Sequence, residues 1–394
     1  MLSVFGSGCD SGKTASNSGG SNGGCTPVPP DTSAPPDAIP IGLVASLTGA
    51  QLPWGVDCQR GAQLAVDEFN KAGGLNGKKV RLVSGDDASK PEQGKSAVEK
   101  MIDQDHVIGV IGEVASGITL QMGPVCQAAG VPDVAVGATR DDITNIGNCM
   151  FRVCYTDSLQ GPVMANFAYK KLGLRKVAVM TDKTLPYSTG LSKSFIATFK
   201  KLGGTVIDEQ FYETGQTQFT GQLTNLKAEG PEGVFASGYF PEVGPMVKQA
   251  AEAGLKVPFF GGDGWDSKDI SRLGGAAIVH DCFCNHYSNE DPSPQVQQFL
   301  AKWKKAFCSD PGTAMGALGY DATALMLDAL KRAKSPTGKD LRDAIDDTTD
   351  FKGVTGSITL KGMHGNPAKR AIIVEVTATG TKFATAIEPS QVTR

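Results

Sequence analysis

The sequence predicts an α/β protein made of two doubly wound lobes, each a parallel sheet with helices on both faces. Strand and helix patterns alternate from residue 39 onward, as a parallel sheet requires. The alternation restarts near residue 176, so two successive units of about five strands each are visible. A length of 394 residues is sufficient for two lobes of ordinary size.

In the first unit, short apolar runs predict strands at 39–47, 79–83, 106–112, 131–136 and 151–155. Apolar residues at helical spacing predict a helix that begins near Cys58 and ends at Gly73 and Gly74. A second helix is predicted at 91–104. A third is predicted at 116–130, with Ser116 in the N-cap position.

In the second unit, strands are predicted at 176–181, 205–210, 233–237, 257–261 and 279–284. The helix 187–202 lies between the first two strands, and further helices separate the others. Residues 292–349 are mainly helical, and short strands near 357–360 and 371–376 close the chain.

Composition excludes several classes of protein. The net charge is −3, so no basic surplus attracts nucleic acid or an anionic membrane. No apolar run approaches the ~20 residues that span a bilayer. Forty per cent apolar residues are enough to form real cores.

Residues 1–38 predict the remnant of an export signal followed by a tether. Gly, Ser and Pro fill 18 of the 34 positions from residue 6 to 39. Almost no apolar residues remain, so this segment cannot bury enough surface to offset the entropy lost on ordering it. Ser7-Gly8-Cys9 resembles the junction of a bacterial lipoprotein, in which the cysteine is acylated. The alternative is a plain unstructured leader. We expect an exported protein, located in the periplasm or on the outer surface of the cytoplasmic membrane, with Cys9 as the candidate lipid anchor.

The chain has nine cysteines, and setting Cys9 aside leaves an even number, which suits an oxidising compartment. The sequence does not choose among the possible pairings.

Three short motifs resemble cofactor or metal sites and are better explained otherwise. Residues 7–14 end like a phosphate-binding loop but lack its first glycine and its strand, and residues 262–267 lack the third glycine of a dinucleotide fingerprint. Alternating side chains at 280–286 share one face of a strand: His280, Cys282, Cys284 and His286. The outer pair lie about 20 Å apart, so one metal ion cannot bind all four, although two of them could. We therefore expect no cofactor and no metal.

Polar and aromatic residues follow successive strands, at the edge where open α/β sheets bind ligands. Hydroxyls beside helix-end N–H groups suit a carboxylate, and carboxylates beside a backbone carbonyl suit an ammonium group. Together they predict a site for an α-amino acid. The candidate residues are Trp54, Ser116, Gly137, Ala138, Thr139, Asp157, Tyr187, Tyr239 and Asp263.

From about residue 39 to residue 387 the sequence resembles the type I periplasmic substrate-binding proteins of branched-chain amino acid ABC transporters. Eight motifs in order carry the resemblance: Ser46-Leu47-Thr48-Gly49, Gly61-Ala62-Gln63-Leu64-Ala65, Asn76-Gly77-Lys78, Asp86-Asp87, Phe151-Arg152 with Asp157, Gln160-Gly161, Gly238-Tyr239 and Gly261-Gly262-Asp263-Gly264.

The resemblance implies a role for each candidate residue. Ser116 and Thr139 hold the ligand carboxylate. The ammonium group is taken by the Gly137 carbonyl, Asp157, Tyr239 and Asp263, and the ligand is flanked by Trp54 and Tyr187. The family's leucine-binding member has a longer Glu at the position of Asp263, and its pocket aromatic corresponds to Met315 in this sequence. A branched-chain amino acid is the first expectation, with a larger or polar amino acid as the second.

The resemblance also implies two lobes joined by three crossings, near 155–156, 285–286 and 352–355. The first lobe then holds 39–155 and 286–351, and the second holds 156–285 and 352–394. Because neighbouring crossings lie side by side, we expect a disulfide from Cys154 to Cys284 or Cys282 that braces the hinge.

The expected function is capture of an amino acid by hinge closure and its delivery to a membrane-embedded ABC permease. We expect a monomer that binds no nucleic acid. One alternative is a sensor or receptor domain for an amino acid, amide or other small polar ligand. An α/β enzyme is a third possibility, but the sequence offers no nucleophile motif, metal set or cofactor fingerprint for it.

The first testable prediction concerns Cys9. Mass spectrometry of the native N-terminus should show a diacylglyceryl group on Cys9, because the tether that follows it suits a lipid-anchored protein. An unmodified Met1 on a cytoplasmic protein would contradict this prediction.

Overall fold

The computed structural model describes Pro35 and residues 37–393. The predicted tether, the Cys9 anchor and the phosphate-loop motif at 7–14 lie outside the described residues. The first sheet has five parallel strands in the order β2-β1-β3-β4-β5. They are β1 (Ile39–Ala45), β2 (Val80–Asp86), β3 (Val110–Ile111), β4 (Asp133–Ala135) and β5 (Met150–Arg152). The helices between them are α1 (Leu52–Lys71), α2 (Pro91–Asp103) and α3 (Ser116–Ala129).

The second sheet has seven strands in the order β14-β13-β10-β9-β8-β6-β7. Its parallel part comprises β6 (Lys176–Asp182), β7 (Thr205–Tyr212), β8 (Gly233–Ser237), β9 (Phe259–Gly261) and β10 (Cys282–Asn285). Its helices are α4 (Asp157–Asn166), α5 (Pro186–Lys201), α6 (Thr220–Glu229), α7 (Phe240–Glu252) and α8 (Asp269–Gly274).

The last third of the chain serves both lobes. Three helices come first: α9 (Pro294–Phe307), α10 (Met315–Arg332) and α11 (Gly338–Asp346). The hairpin β11 (Phe351–Gly353) and β12 (Gly356–Ile358) follows, and then β13 (Ala371–Thr377) and β14 (Gly380–Ile387) add antiparallel strands to the second sheet. The sequence analysis missed β14, because this edge strand is only half-buried and has no apolar run.

The parallel parts of the two sheets have the same strand order. In each sheet, the first strand of the unit lies between the second and the third strands. The chain connections on the two sides of this first strand therefore run in opposite directions. Ligands of open α/β sheets bind at this switch point, outside the carboxyl ends of the strands. The topology therefore gives each lobe one binding edge.

Close helix packing joins the two stretches of chain that build the first lobe. Helices α1 and α10 approach so closely that a Cβ atom at Gly61 would lie 2.0 Å from the Gly316 carbonyl oxygen. A Cβ atom at Gly319 would lie 2.6 Å from the carbonyl oxygen of Cys58. Glycine is required at these positions because any side chain would separate the helices.

The first two crossings between the lobes lie side by side where the resemblance implies them. Tyr155 follows β5 and His286 follows β10, and their rings stack with centroids 3.8 Å apart. Both side chains are buried. This stack joins the first two connections between the sheets.

The third crossing lies further along the chain than the predicted 352–355. The β11–β12 hairpin turns back onto α10, where Asp321 accepts hydrogen bonds from the Val354 and Thr355 N–H groups at 2.6 and 2.8 Å. The chain then stays on the first lobe, where Gly365 accepts a hydrogen bond from the N–H of Arg152 in β5. The crossing therefore lies between residue 366 and β13.

The predicted hinge disulfide is not present, and Cys154, Cys282 and Cys284 are all free thiols. The Cys154 thiol lies 3.4 Å from the Ala138 carbonyl, while the Cys284 sulfur lies 3.3 Å from the Tyr155 hydroxyl. The Tyr155 side chain thus occupies the position beside Cys284 that the prediction gave to Cys154. Cys308 is disulfide-bonded.

Across residues 35 and 37–393, no helix combines the length and the apolar character needed to cross a membrane.

One acidic residue in the first sheet is buried without a partner. Asp133 begins β4, between β3 and β5, and its side chain is fully buried with neither carboxylate oxygen in a hydrogen bond. Burial raises the pKa of Asp133 well above its usual value. The folded protein therefore keeps this carboxyl group protonated at pH values where the unfolded chain ionises it.

The second testable prediction follows from this proton. The stability contributed by Asp133 is complete below about pH 4 and is lost as pH rises towards the raised pKa, by about 1.4 kcal/mol per pH unit. Chemical denaturation between pH 4 and pH 8 should show that Asp133→Asn lacks this part of the decline. The exposed Asp103→Asn is the control, and equal pH slopes for Asp133→Asn and the parent would contradict the prediction.

Candidate functional site

The N-terminus of α3 forms one end of the site. The helix begins at Ser116, and Ala115 rather than Ser116 is the N-cap. The prediction was wrong by one residue because the Glu113 carboxylate accepts a hydrogen bond from the Ala115 N–H and fixes the turn before the helix. The Ser116 hydroxyl instead accepts a hydrogen bond from the Arg140 N–H at 3.3 Å. The first turn thus presents its N–H groups and the Ser116 hydroxyl at the sheet edge.

The loop after β4 supplies the next group of candidates. The Glu113 carbonyl accepts a hydrogen bond from the Gly137 N–H, and Gly137 lines the cavity between the lobes. The Ala138 carbonyl accepts a hydrogen bond from Arg152 Nη1 at 2.7 Å, so it is engaged on the β5 side. The Thr139 hydroxyl is buried and has no hydrogen-bond partner in the described structure.

Aromatic residues form the opposite wall. Tyr187 lies at the start of α5 and Tyr239 just before α7, and their rings stack with centroids 5.3 Å apart. Trp54 of α1 meets Tyr239 edge-on across the cleft, with centroids 4.9 Å apart. The Tyr187 hydroxyl accepts a hydrogen bond from the Gly264 N–H at 3.1 Å, which fixes the ring against the loop after β9.

The structure brings predicted residues from both lobes into one cavity. Five of the nine candidates line it, with three residues that the site prediction did not include. The eight lining residues are Trp54, Val114, Gly137, Tyr187, Tyr239, Asp263, Gly264 and Met315. Thr139 lies beside this cavity next to Asp157, whose N–H donates to the Thr139 carbonyl at 2.8 Å.

Two buried carboxylates form the other end of the site. Asp157 Oδ2 and Asp263 Oδ1 are buried and have no partner in good hydrogen-bond geometry among the described residues, while the Thr139 hydroxyl lies near Asp157 and the Tyr187 hydroxyl near Asp263. Burial raises the pKa of Asp157 well above its usual range, and the negative charge of Asp263 raises it further. A cation between the two carboxylates would attract both of them and so offset the mutual repulsion that raises the pKa of Asp157.

Gln160 connects these two carboxylates and was not a predicted site residue. Its amide nitrogen lies 3.3 Å from Asp157 Oδ1, and its amide oxygen accepts a hydrogen bond from the Asp263 N–H at 2.6 Å. Gln160 lies one helical turn after Asp157 on α4, a spacing that puts both on one helix face. This spacing was a usable sequence signal.

His286 is a second residue that the site prediction missed. Its Nε2 atom lies 2.8 Å from Asp263 Oδ2, and its side chain is fully buried. His280 from the same alternating motif is exposed and contacts Glu375 instead. Among the described residues, no group of three or more possible ligands could hold a metal ion.

Hydrogen bonds join the two lobes around the cavity, so the structure shows a closed cleft. Trp54 Nε1 donates to the Asp266 carbonyl at 2.6 Å, and the Ala314 N–H donates to the Asp266 carboxylate at 2.5 Å. Arg140 Nη1 donates to the Pro186 carbonyl at 2.7 Å. Burial raises the pKa of Asp266 to about 7.

The arrangement can bind a small zwitterion. Hydrogen-bond donors at α3 and Thr139 suit an anion, and the pair Asp157 and Asp263 suits a cation. The aromatic and apolar walls can cover the rest of the molecule when the lobes close.

Comparison with known proteins places the chain in a family. The profile of the Periplasmic binding protein family matches residues 38–381. The Leu/Ile/Val-binding protein homolog 1 of Brucella abortus is 32% identical over 326 residues, which are 81% of this chain and 85% of that one.

Two solved structures share the fold at similar identity. The leucine binding protein LivK of Thermotoga maritima has a TM-score of 0.86 at 32% identity and covers 90% of this chain and 100% of its own. The branched-chain amino acid transporter substrate binding protein LivJ of Streptococcus pneumoniae, in complex with isoleucine, has a TM-score of 0.83 at 30% identity. It covers 89% of this chain and 99% of its own. The chain therefore belongs to the periplasmic binding protein family.

Proposed function

We propose that this protein captures an α-amino acid between its lobes, with the ligand carboxylate at the start of α3 and Thr139 and its ammonium group between Asp157 and Asp263. The buried, unpartnered oxygens of these two aspartates carry the proposal. A buried carboxylate without a partner is costly, and a ligand cation supplies the missing charge.

A branched-chain aliphatic side chain suits the rest of the cavity. Val114, Met315 and the face of Trp54 give apolar surface, and no charged side chain other than Asp263 lines the cavity. Two relatives are named for leucine or for leucine, isoleucine and valine, and a third holds isoleucine. This agreement supports leucine, isoleucine or valine as the ligand.

The proposed role in the cell is delivery of the amino acid to an ABC permease outside the cytoplasm. The ligand would dock on the first lobe, and hinge closure would bring Tyr187, Tyr239 and Asp263 over it. The hydrogen bonds of Asp266 to both Trp54 and Ala314 would then hold the closed form that the permease reads. Such a role is a population shift without bond-making chemistry, and we propose that the protein performs it as a monomer without a cofactor.

The third testable prediction concerns ligand chemistry. A thermal-shift screen followed by calorimetry should select leucine, isoleucine or valine over other amino acids. Among leucine analogues, 4-methylpentanoate lacks the ammonium group and 3-methylbutylamine lacks the carboxylate, so both should bind far more weakly. Equal binding of 4-methylpentanoate and leucine would contradict the zwitterion site.

The fourth testable prediction concerns the ammonium clamp. A charge-assisted hydrogen bond contributes ~1.5–3 kcal/mol, so Asp157→Asn and Asp263→Asn should each weaken leucine binding by roughly ten- to a hundredfold. Ser116→Ala should cost less, because the N–H groups of α3 still hold the carboxylate. Calorimetric titration measures all three.

Asp103→Asn on α2 is the matched control for charge, since this side chain is exposed on the first lobe. It should bind leucine as the parent does. If both clamp variants bind as tightly as the control, the ligand carries no ammonium group at this site and the proposal is wrong.

A further inference from the structure

We propose that His286 is the positioning residue of the ammonium clamp: from the hinge, it holds one oxygen of Asp263 so that the other is available to the ligand. The inference rests on the proposed function and adds a residue to that site. The geometry that carries it is the 2.8 Å contact of His286 Nε2 with Asp263 Oδ2, between two buried side chains. Asp263 itself lines the cavity, and its other oxygen, Oδ1, has no hydrogen-bond partner among the described residues.

The hinge fixes the His286 ring. Tyr155 of the first crossing stacks on it at 3.8 Å with an interplanar angle of 25°. The Tyr155 hydroxyl contacts the Cys284 sulfur of β10, and the His286 N–H donates to Asn285 Oδ1. The ring therefore has little freedom to turn away from Asp263. Because His286 lies on the second crossing, the position of its ring relative to Asp263 depends on how the two lobes are joined.

The hydrogen-bond pattern assigns the proton on the ring. His286 Nδ1 is buried and has no partner, so the contact with Asp263 needs the hydrogen on Nε2. Burial lowers the pKa of His286, while the charge of Asp263 opposes that effect and Lys369 adds to it. The neutral ring thus donates one hydrogen bond to Asp263 without cancelling its negative charge.

The charged groups around the ring indicate a pH dependence. Asp263 faces it from the loop after β9 and Lys369 acts on it from the third crossing, while the uncharged Tyr155 and Cys284 fill the sides. A proton on His286 would place a second cation against Asp263, in competition with the ligand ammonium group.

Calorimetry with leucine on two variants of the full chain tests the inference. His286→Phe keeps a ring against Tyr155 but removes the donor, and it should weaken leucine binding about tenfold. His286→Gln offers an amide N–H near the place of Nε2 and should restore most of the affinity. His280→Phe is the control, because this exposed histidine is on the same stretch of chain and contacts Glu375.

Two readouts separate positioning from general damage. In an Asp263→Asn background, His286→Phe should have almost no further effect, because its target is gone. Because burial lowers the pKa of His286, the affinity of the parent should fall only at pH values more acidic than the ordinary histidine range, and this part of the fall should be missing from His286→Gln. All other side chains are common to both proteins, so the difference between the two profiles belongs to His286.

Each outcome decides one claim. If the parent binds no amino acid, the proposed function fails. Only the positioning role is overturned if the parent binds leucine and His286→Phe binds it equally well. The same holds if the losses of affinity caused by His286→Phe and by Asp263→Asn multiply in the double variant. Should His286→Phe fail to fold, the pH profile of His286→Gln decides, and a profile equal to the parent's overturns the role.

Discussion

The burial of two carboxyl groups near one another is the constraint on which the site depends. Asp157 and Asp263 come from α4 and from the loop after β9, and both side chains are buried. In the closed structure their outward oxygens have no partner. In the proposed function, closure without a cation is therefore costly, whereas closure around an ammonium group satisfies both carboxylates. On that proposal the same electrostatics link ligand recognition to the hinge motion.

The repeated topology explains how two lobes build one site. Each lobe has a switch point at the carboxyl edge of its sheet, and the crossings hold the two edges face to face. One edge presents the start of α3 and the loop of Thr139, and the other presents Tyr187, Tyr239 and Asp263. A zwitterion needs opposite charges at its two ends, and this pairing of edges provides them.

Support for the site comes from residues that do not face the ligand. Gln160 and His286 hold Asp263 from two sides, and Asp266 accepts hydrogen bonds from the first lobe. In the first lobe, Gly61 and Gly319 let α10 pack against α1, so a segment that returns late in the chain completes the lobe. These contacts join parts of the chain that are far apart in sequence.

The sequence by itself determined the α/β class, the two units and most of the polar residues at the strand ends, because apolar periodicity and short polar insertions are local patterns. It did not determine the edge strand β14, whose half-buried pattern is weak, or the N-cap of α3 at Ala115, whose N–H is held by the Glu113 side chain. Only the tertiary structure decided that His286 contacts Asp263, that Tyr155 lies beside Cys284, and that the third crossing comes after residue 366. Each of these depends on which distant segments meet at the hinge, and local patterns carry no information about that meeting.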